Sequence, residues 1–225
     1  MRCKTYLMKG FMVALMIFFL PGAVYAERFA DLSAGFTYVQ DSDVEYSSNN
    51  SSETVDTSYD PSYTIDYRLG FWFEGQPYLG LAFGVNYTTI DDDLEIDILS
   101  LTPQIMFRLP LLKSARYPNG EWTPFITAGP GIFFSRIQYE VSESSVPDMI
   151  GMPTLTGEYK NDQVDVGVDV RAGLKKMMSP NWGLNLEYRF FWFEPEYEDN
   201  VLGIDVKTRP ELYTHSFMIG VSFNY

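Results

Sequence analysis

The chain has 225 residues, 16% of them aromatic, and a formal charge of −14 from 30 acidic and 16 basic side chains. So acidic a chain, with no Lys/Arg cluster, is excluded from binding nucleic acid through a basic face. A single cysteine, Cys3, and a single histidine, His215, leave no disulfide and a very short inventory for nucleophilic catalysis.

The first element is a leader. Arg2, Lys4 and Lys9 precede an apolar run from Phe11 to Leu20, then Pro21-Gly22 and the small-residue close Val24-Tyr25-Ala26. That is the layout of a cleaved secretory signal over residues 1–26. The run is about half the roughly 20 residues that a spanning helix needs. Cys3 lies ahead of the run, too early for lipid attachment, and would leave with it. One domain, residues 27–225, then remains, with a charge of −17 once the three leader bases are gone. Nothing in it has the length or apolarity of a membrane helix, so any membrane crossing falls to strands.

Eight segments follow in which apolar side chains take every second place, the period of a strand with one apolar face. The first, Phe29 to Val39, places Ala30, Leu32, Ala34, Phe36 and Tyr38 together. The second, Tyr63 to Glu74, aligns Tyr63, Ile65, Tyr67, Leu69, Phe71 and Phe73. A turn at Gly75-Gln76-Pro77 leads to the third, with Leu79, Leu81, Phe83, Val85 and Tyr87 in step. The fourth, Leu94 to Leu109, changes phase between Ile98 and Leu99, which predicts a bulge there. The fifth runs from Trp122 to Tyr139. In the sixth, Val164 to Lys175, even-numbered apolar residues alternate with Asp165, Asp169 and Arg171. The seventh, Trp182 to Trp192, alternates with Asn185, Glu187 and Arg189. The eighth, Glu211 to Tyr225, closes on Phe217, Ile219, Val221, Phe223 and Tyr225.

Long polar connections, Gln40 to Ser62, Glu140 to Asp162 and Glu194 to Pro210, follow segments one, five and seven, and a short acidic one follows segment three. Tight turns follow segments two and six. An even strand count, with long loops at one end and short turns at the other, predicts an all-β, eight-stranded antiparallel transmembrane β-barrel in an up-and-down meander. Three features turn the apolar faces outward. The polar faces are rich in glycine, as a crowded interior requires. They carry both charge signs, with Asp66, Arg68, Arg108, Asp165, Asp169, Arg171, Glu187 and Arg189. Trp182 and Trp192 bracket segment seven, and ten steps of roughly 3.3 Å tilted about 40° rise about 25 Å, the height of a lipid band between aromatic girdles. Tyr225 would join the girdle on the turn side.

"TPFITAGPGIFF" and "HSFMIGVSFNY" resemble the central and closing strands of the OmpA/OmpX-like family of small outer-membrane β-barrels. The resemblance extends over nearly the whole mature chain and implies the fold and a place in the outer membrane of a Gram-negative-type cell, with outer-membrane lipid and lipopolysaccharide as surroundings. The ending Val221, Phe223, Tyr225 also resembles the signal by which the outer-membrane assembly machinery takes up its substrates.

A barrel of eight strands is just wide enough for its own side chains, so interior charges must pair. If Met177 faces Asn181 across Met178-Ser179-Pro180, Arg171 lies opposite Glu187 and Asp169 opposite Arg189, joining unlike charges. The same counting across Gly75-Gln76-Pro77 puts Trp72 opposite Gly80 and Arg68 opposite Gly84. The network Asp66, Arg68, Asp169, Arg171, Glu187 and Arg189 reads as a salt-bridge plug, with a gate or ion pathway as the alternative. Some small outer-membrane barrels are lipid A deacylases with His and Ser two places apart on one face. Here Ser216 is adjacent to His215 and so points away, and no enzymatic role or cofactor is expected.

The loops hold Asp41, Asp43, Glu45, Glu53, Asp56 and Asp60, then Asp91, Asp92, Asp93, Glu95 and Asp97, then Glu194, Glu196, Glu198 and Asp199. They read as a solvated acidic crown. A sharper reading has Asp91 to Asp93 gather Ca²⁺ or Mg²⁺ to bridge lipopolysaccharide phosphates, or the loops meet a surface ligand. The turn side, with Lys113, Arg116, Lys175 and Lys176, is mildly basic. The expected function is non-catalytic: a structural or surface-interaction barrel, or else a narrow porin-like channel.

Overall fold

Alternation becomes strand wherever one face meets lipid and the other meets packed side chains, because every backbone donor must then be satisfied by a neighbouring strand. The computed structural model describes residues 25–40, 42–48, 51–57, 61–90, 94–141, 157–195, 197–201 and 204–225, with side chains at 27–40, 61–90, 96–136, 161–195 and 211–225. Its strands are β1 (Tyr25–Val39), β2 (Ser42–Ser48), β3 (Ser51–Thr57), β4 (Ser62–Phe73), β5 (Gln76–Ile90) and β6 (Leu94–Arg108), then β7 (Trp122–Val141), β8 (Gly157–Met177), β9 (Trp182–Phe193), β10 (Tyr197–Val201), β11 (Ile204–Pro210) and β12 (Leu212–Asn224). Among the described residues there is no helix.

Eight of these strands close an antiparallel barrel in the order β1-β12-β9-β8-β7-β6-β5-β4, an up-and-down meander. The closing ladder runs from Phe29↔Asn224 to Val39↔Thr214. Below it, Arg28 N–H donates to Tyr225 O at 3.1 Å and Tyr225 N–H returns the bond to Arg28 O at 2.9 Å. The apolar faces point outward: Leu32, Ile65, Ile105, Val166, Leu186 and Ile219 are all exposed. The leader lies outside the described residues up to residue 24.

Three expectations change. First, the connections after β1 and β9 form hairpins, β2–β3 and β10–β11, joined by β11–β2 pairing from Val206↔Ser48 to Pro210↔Val44 in a four-stranded sheet. This sheet prolongs the β1–β12 seam beyond the barrel. Second, there is no bulge at Ile98-Leu99, because β5 and β6 stay in one register from Leu79↔Phe107 to Ile90↔Ile96. The change of phase has another cause: Ile96 and Ile98 point into the lumen, where both are buried. Third, the β8–β9 turn is longer than counted. Met178 N–H and Ser179 N–H both donate to Trp182 O, at 2.8 and 3.0 Å. Met177 therefore faces Gly183 rather than Asn181, and Arg171 stands opposite Arg189, Gly173 opposite Glu187 and Asp169 opposite Phe191. Across β4–β5 the register has Trp72↔Gly80 and Arg68↔Gly84.

Candidate functional site in the barrel lumen

The lumen is filled in three layers. The middle layer is ionic. Asp169 on β8 accepts from Arg171 Nε at 2.8 Å and from Arg189 Nε at 2.6 Å, one bond to each carboxylate oxygen. Arg171 reaches across the barrel to Asp66 on β4 at 2.8 Å and to Glu187 on β9 at 3.2 Å. Glu187 in turn accepts from Arg68 at 2.7 Å, and Arg68 also donates to Asp31 at 2.9 Å. Gln104 Nε2 donates to Asp169 at 3.0 Å and Arg189 Nη2 to Ser100 at 2.9 Å. The layer therefore joins β1, β4, β6, β8 and β9. Charge-assisted bonds of this length are strong, and in a dry interior each carboxylate needs them.

Opposed guanidiniums at Arg171 and Arg189 would repel if nothing lay between them. Asp169 lies between them, so unlike charges meet diagonally rather than straight across the ladder. A glycine opposite makes room: a Cβ at Gly84 would stand 2.7 Å from Thr102 Oγ1 and 3.2 Å from Arg171 Nη2.

Toward the turn side lies a mixed layer of Phe29, Trp72, Ala82, Met106 and Phe125. Arg108 donates from Nε to Pro77 O at 2.7 Å, pairs with Glu27 at 2.6 Å, and lies 4.1 Å over the Trp72 ring. Lys175 belongs here as well. It is one of the basic residues of the turn side, and its phase on β8, shared with Asp169 and Arg171, turns it inward; it is buried, 3.3 Å from Asp31 and 4.8 Å over Phe29. Beneath this layer a partly open cavity of about 100 Å³ is lined by Glu27, Arg108, Lys175, Tyr117 to Gly120 and Pro180.

Toward the loops the lumen ends in an apolar seal of Val39, Ile90, Ile96, Ile98, Phe133, Phe191, Phe193 and Leu212. Phe133 and Phe193 stack with centroids 4.5 Å apart and planes 2° from parallel. Arg189 lies 4.4 Å over Phe191, where seal and ionic layer meet.

Spacing brought out Asp66, Arg68, Asp169, Arg171, Glu187 and Arg189, and the structure gathers all six into one network. Spacing missed Asp31 and Glu27 and the pairing of Lys175 with Asp31. The signal for Asp31 is its place between the outward Ala30 and Leu32. Buried charges among the described residues comprise five cations, Arg68, Arg108, Arg171, Lys175 and Arg189, and five anions, Glu27, Asp31, Asp66, Asp169 and Glu187. These ten buried charges thus balance one another inside a strongly acidic chain.

On the outside, Trp182 lies 4.8 Å from Phe223, which lies 5.8 Å from Tyr225, at the turn end. Trp192 stacks on Tyr213 at 6.5 Å near the loops, and Val221 lies on the outward face of β12. His215 Nδ1 lies 2.7 Å from Tyr188 Oη on the outer face. Ser216 is inside, 2.9 Å from Thr37 Oγ1, so the barrel wall separates the two candidate catalytic groups. Among the described residues no cluster of His, Cys, Asp and Glu could hold a metal ion. Asp91 to Asp93 lie outside the described residues.

The fold is similar to that of several solved barrels. The outer membrane protein OprG of Pseudomonas aeruginosa is 12% identical, with a TM-score of 0.60 over 89% of this chain and 97% of that one. Neisserial surface protein A is 13% identical, at 0.51 over 90% and 99%. The outer membrane protein AlkL, determined in DMPC lipid bilayers, is 13% identical, at 0.51 over 91% and 93%. Comparison with curated proteins gave no match. The family model described as outer membrane protein beta-barrel domain matches residues 12–224.

Proposed function

Because the chain belongs to the outer membrane protein β-barrel family, we propose that it is a sealed, non-catalytic barrel that acts through its acidic loops at the cell surface. The observation that carries this reading is the filled lumen. Side chains of the ionic layer and of the apolar seal are 0–2% exposed. A conducting pore would need a continuous wet path past both, and the seal offers water no polar partner. The separation of His215 from Ser216 supports the non-catalytic part of the reading.

Residues 1–26 act as the export signal, residues 27–225 form the barrel domain, and the assembly machinery reads Val221, Phe223 and Tyr225. Trp182 and Tyr225 on the turn side and Trp192 on the loop side lie at the two lipid interfaces. The β2–β3 and β10–β11 hairpins supply a raised platform for a surface ligand, and Asp91 to Asp93 in the acidic connection after β5 gather divalent cations between the barrel and lipopolysaccharide.

The test is single-channel recording from the refolded residues 27–225 in a planar bilayer. Silence from protein shown to be folded and inserted is expected. Steady unitary steps that Arg189→Ala alters would overturn the reading and make the ionic layer a selectivity filter.

A further inference from the structure

The ten buried charges balance over the whole lumen but not layer by layer. At the turn end two adjoining cavities, of about 100 and about 10 Å³, are both lined by Arg108, Thr123 and Lys175. Glu27 lines the larger, and Asp31 and Arg68 line the smaller. Three cations therefore meet two anions here. The surplus anion sits in the layer above, where Asp66, Asp169 and Glu187 surround Arg171 and Arg189.

Arg108 is fixed in place from three directions. Its Nε donates to Pro77 O, its Nη1 pairs with Glu27, and the Trp72 ring lies against its plane. Its Nη2 has no partner among the described residues, although the residue is only 7% exposed. Lys175 carries three donors and uses one, at 3.3 Å, on Asp31. Asn224, 8% exposed, lines the larger cavity with an unpartnered Oδ1. Its Nδ2 reaches only Met177 Sδ, at 3.6 Å, so the amide can turn either end to a ligand.

Two cations with donors left over select an oxyanion. With Nε and Nη1 engaged, Arg108 offers one nitrogen instead of a two-point fork, and Lys175 supplies the second contact. One water needs roughly 10–15 Å³, so the larger cavity, of about 100 Å³, admits an oxyanion of a few heavy atoms. Glu27, Arg108, Lys175 and Asn224 are all buried on the inward side of the wall, which separates them from lipid. The ligand is therefore a solute and not a headgroup. Phe29, Trp72, Met106 and Phe125 close the space above, which makes the site a cup and not a passage.

We propose that the turn end of the lumen is a binding cup for a small oxyanion, a carboxylate or a phosphate, held between Arg108 Nη2 and Lys175 Nζ. That the solute comes from the inner side of the membrane rests on the outward placement of the long loops adopted above. Binding itself does not. Conductance reads the passage and titration reads the cup, so either can fail alone.

The experiment titrates the refolded mature barrel, in an uncharged glucoside detergent, with inorganic phosphate and with acetate. Acetamide is the uncharged comparison. The Arg108 Nε–H and the Asn224 side-chain amide report on the cup in NMR. Both are expected to shift saturably with at least one anion and not with acetamide, and the anion that saturates at lower concentration names the class. Lys175→Met keeps the stem over Phe29, and Arg68 still holds Asp31 at 2.9 Å. Its dissociation constant, read from the Asn224 amide, should rise at least about tenfold, the equivalent of one charge-assisted hydrogen bond. Arg108→Lys keeps a cation for Glu27 and withdraws Nη2, with the same expected loss. Lys113→Gln, on the outer turn surface, removes one charge as well and should change nothing. No saturation by either anion at millimolar concentration, an acetamide response equal to that of acetate, or undiminished binding in either folded cup variant would overturn the proposal.

Discussion

Arg171 and Arg189 stand directly opposite each other on β8 and β9, and the carboxylate of Asp169 holds both, at 2.8 and 2.6 Å. Two like charges can share a rung because one anion, two places along β8 from Arg171 and diagonal to Arg189, accepts from both. Asp169→Asn removes that anion and leaves two buried guanidiniums short of charge. A loss of roughly 3–5 kcal/mol is expected, read as a lower urea midpoint of the vesicle-inserted barrel. An unchanged midpoint would mean that Asp66 and Glu187 hold both arginines without it.

The apolar seal is a separate layer, and its removal should weaken the barrel without opening it. Phe193 is fully buried against Phe133. Phe193→Ala is expected to cost about 3–5 kcal/mol in the same unfolding assay. Planar-bilayer current should still be absent, because the ionic layer remains below. Current from Phe193→Ala would locate the whole barrier in the seal.

The β6–β7 ladder is interrupted at one place. Its pairing runs to Leu101↔Ile132 and resumes in the same register at Ile105↔Ala128. In that register Pro103 faces Pro130, and neither has an N–H to donate. Pro130→Val restores one donor with an outward side chain that lipid tolerates. A gain of about 1 kcal/mol is expected, with slower amide exchange on both sides of the gap. A loss of stability would show that the ring itself is needed there.

Gly80 faces Trp72 across β4–β5, and a Cβ there would stand 2.6 Å from both the Trp72 ring and Phe71 O. Because one of those atoms is backbone, the strands must part or the indole must move. Gly80→Ala is expected to lose about 1–3 kcal/mol. Pairing it with Trp72→Phe should recover part of the loss, which the urea midpoint of the double variant would register.

The barrel was legible in the sequence because lipid on one side and side chains on the other impose strict alternation, as in Phe217 to Tyr225. The central charges were legible for the same reason. The β8–β9 register was not, since two residues more in a turn move every partner and nothing local marks Trp182 O as the acceptor. The apolar seal violates the simple code of polar inside and apolar outside. Its signature was present in Phe190-Phe191-Trp192-Phe193, where four aromatics in a row cannot share a face, and in the isoleucines that mimic a bulge at β6. The paired hairpins beyond the barrel were hidden because "SDVEYSS" and "SSETVDT" have too little apolar contrast to show a period.

The ion pairs of the lumen join residues far apart along the chain: Arg171 and Asp66 are separated by 105 positions, Arg68 and Glu187 by 119, and Lys175 and Asp31 by 144. No hairpin can form them alone. A half-assembled sheet keeps the Asp169 pairs of β8 and β9 but leaves Asp66 without Arg171, Glu187 without Arg68 and Lys175 without Asp31, which lipid would disfavour. These cross-barrel pairs form only when the cylinder shuts and brings β1 and β4 over β8 and β9. The wiring would thus favour the closed ring over its fragments, because the cross-barrel partners are satisfied only together.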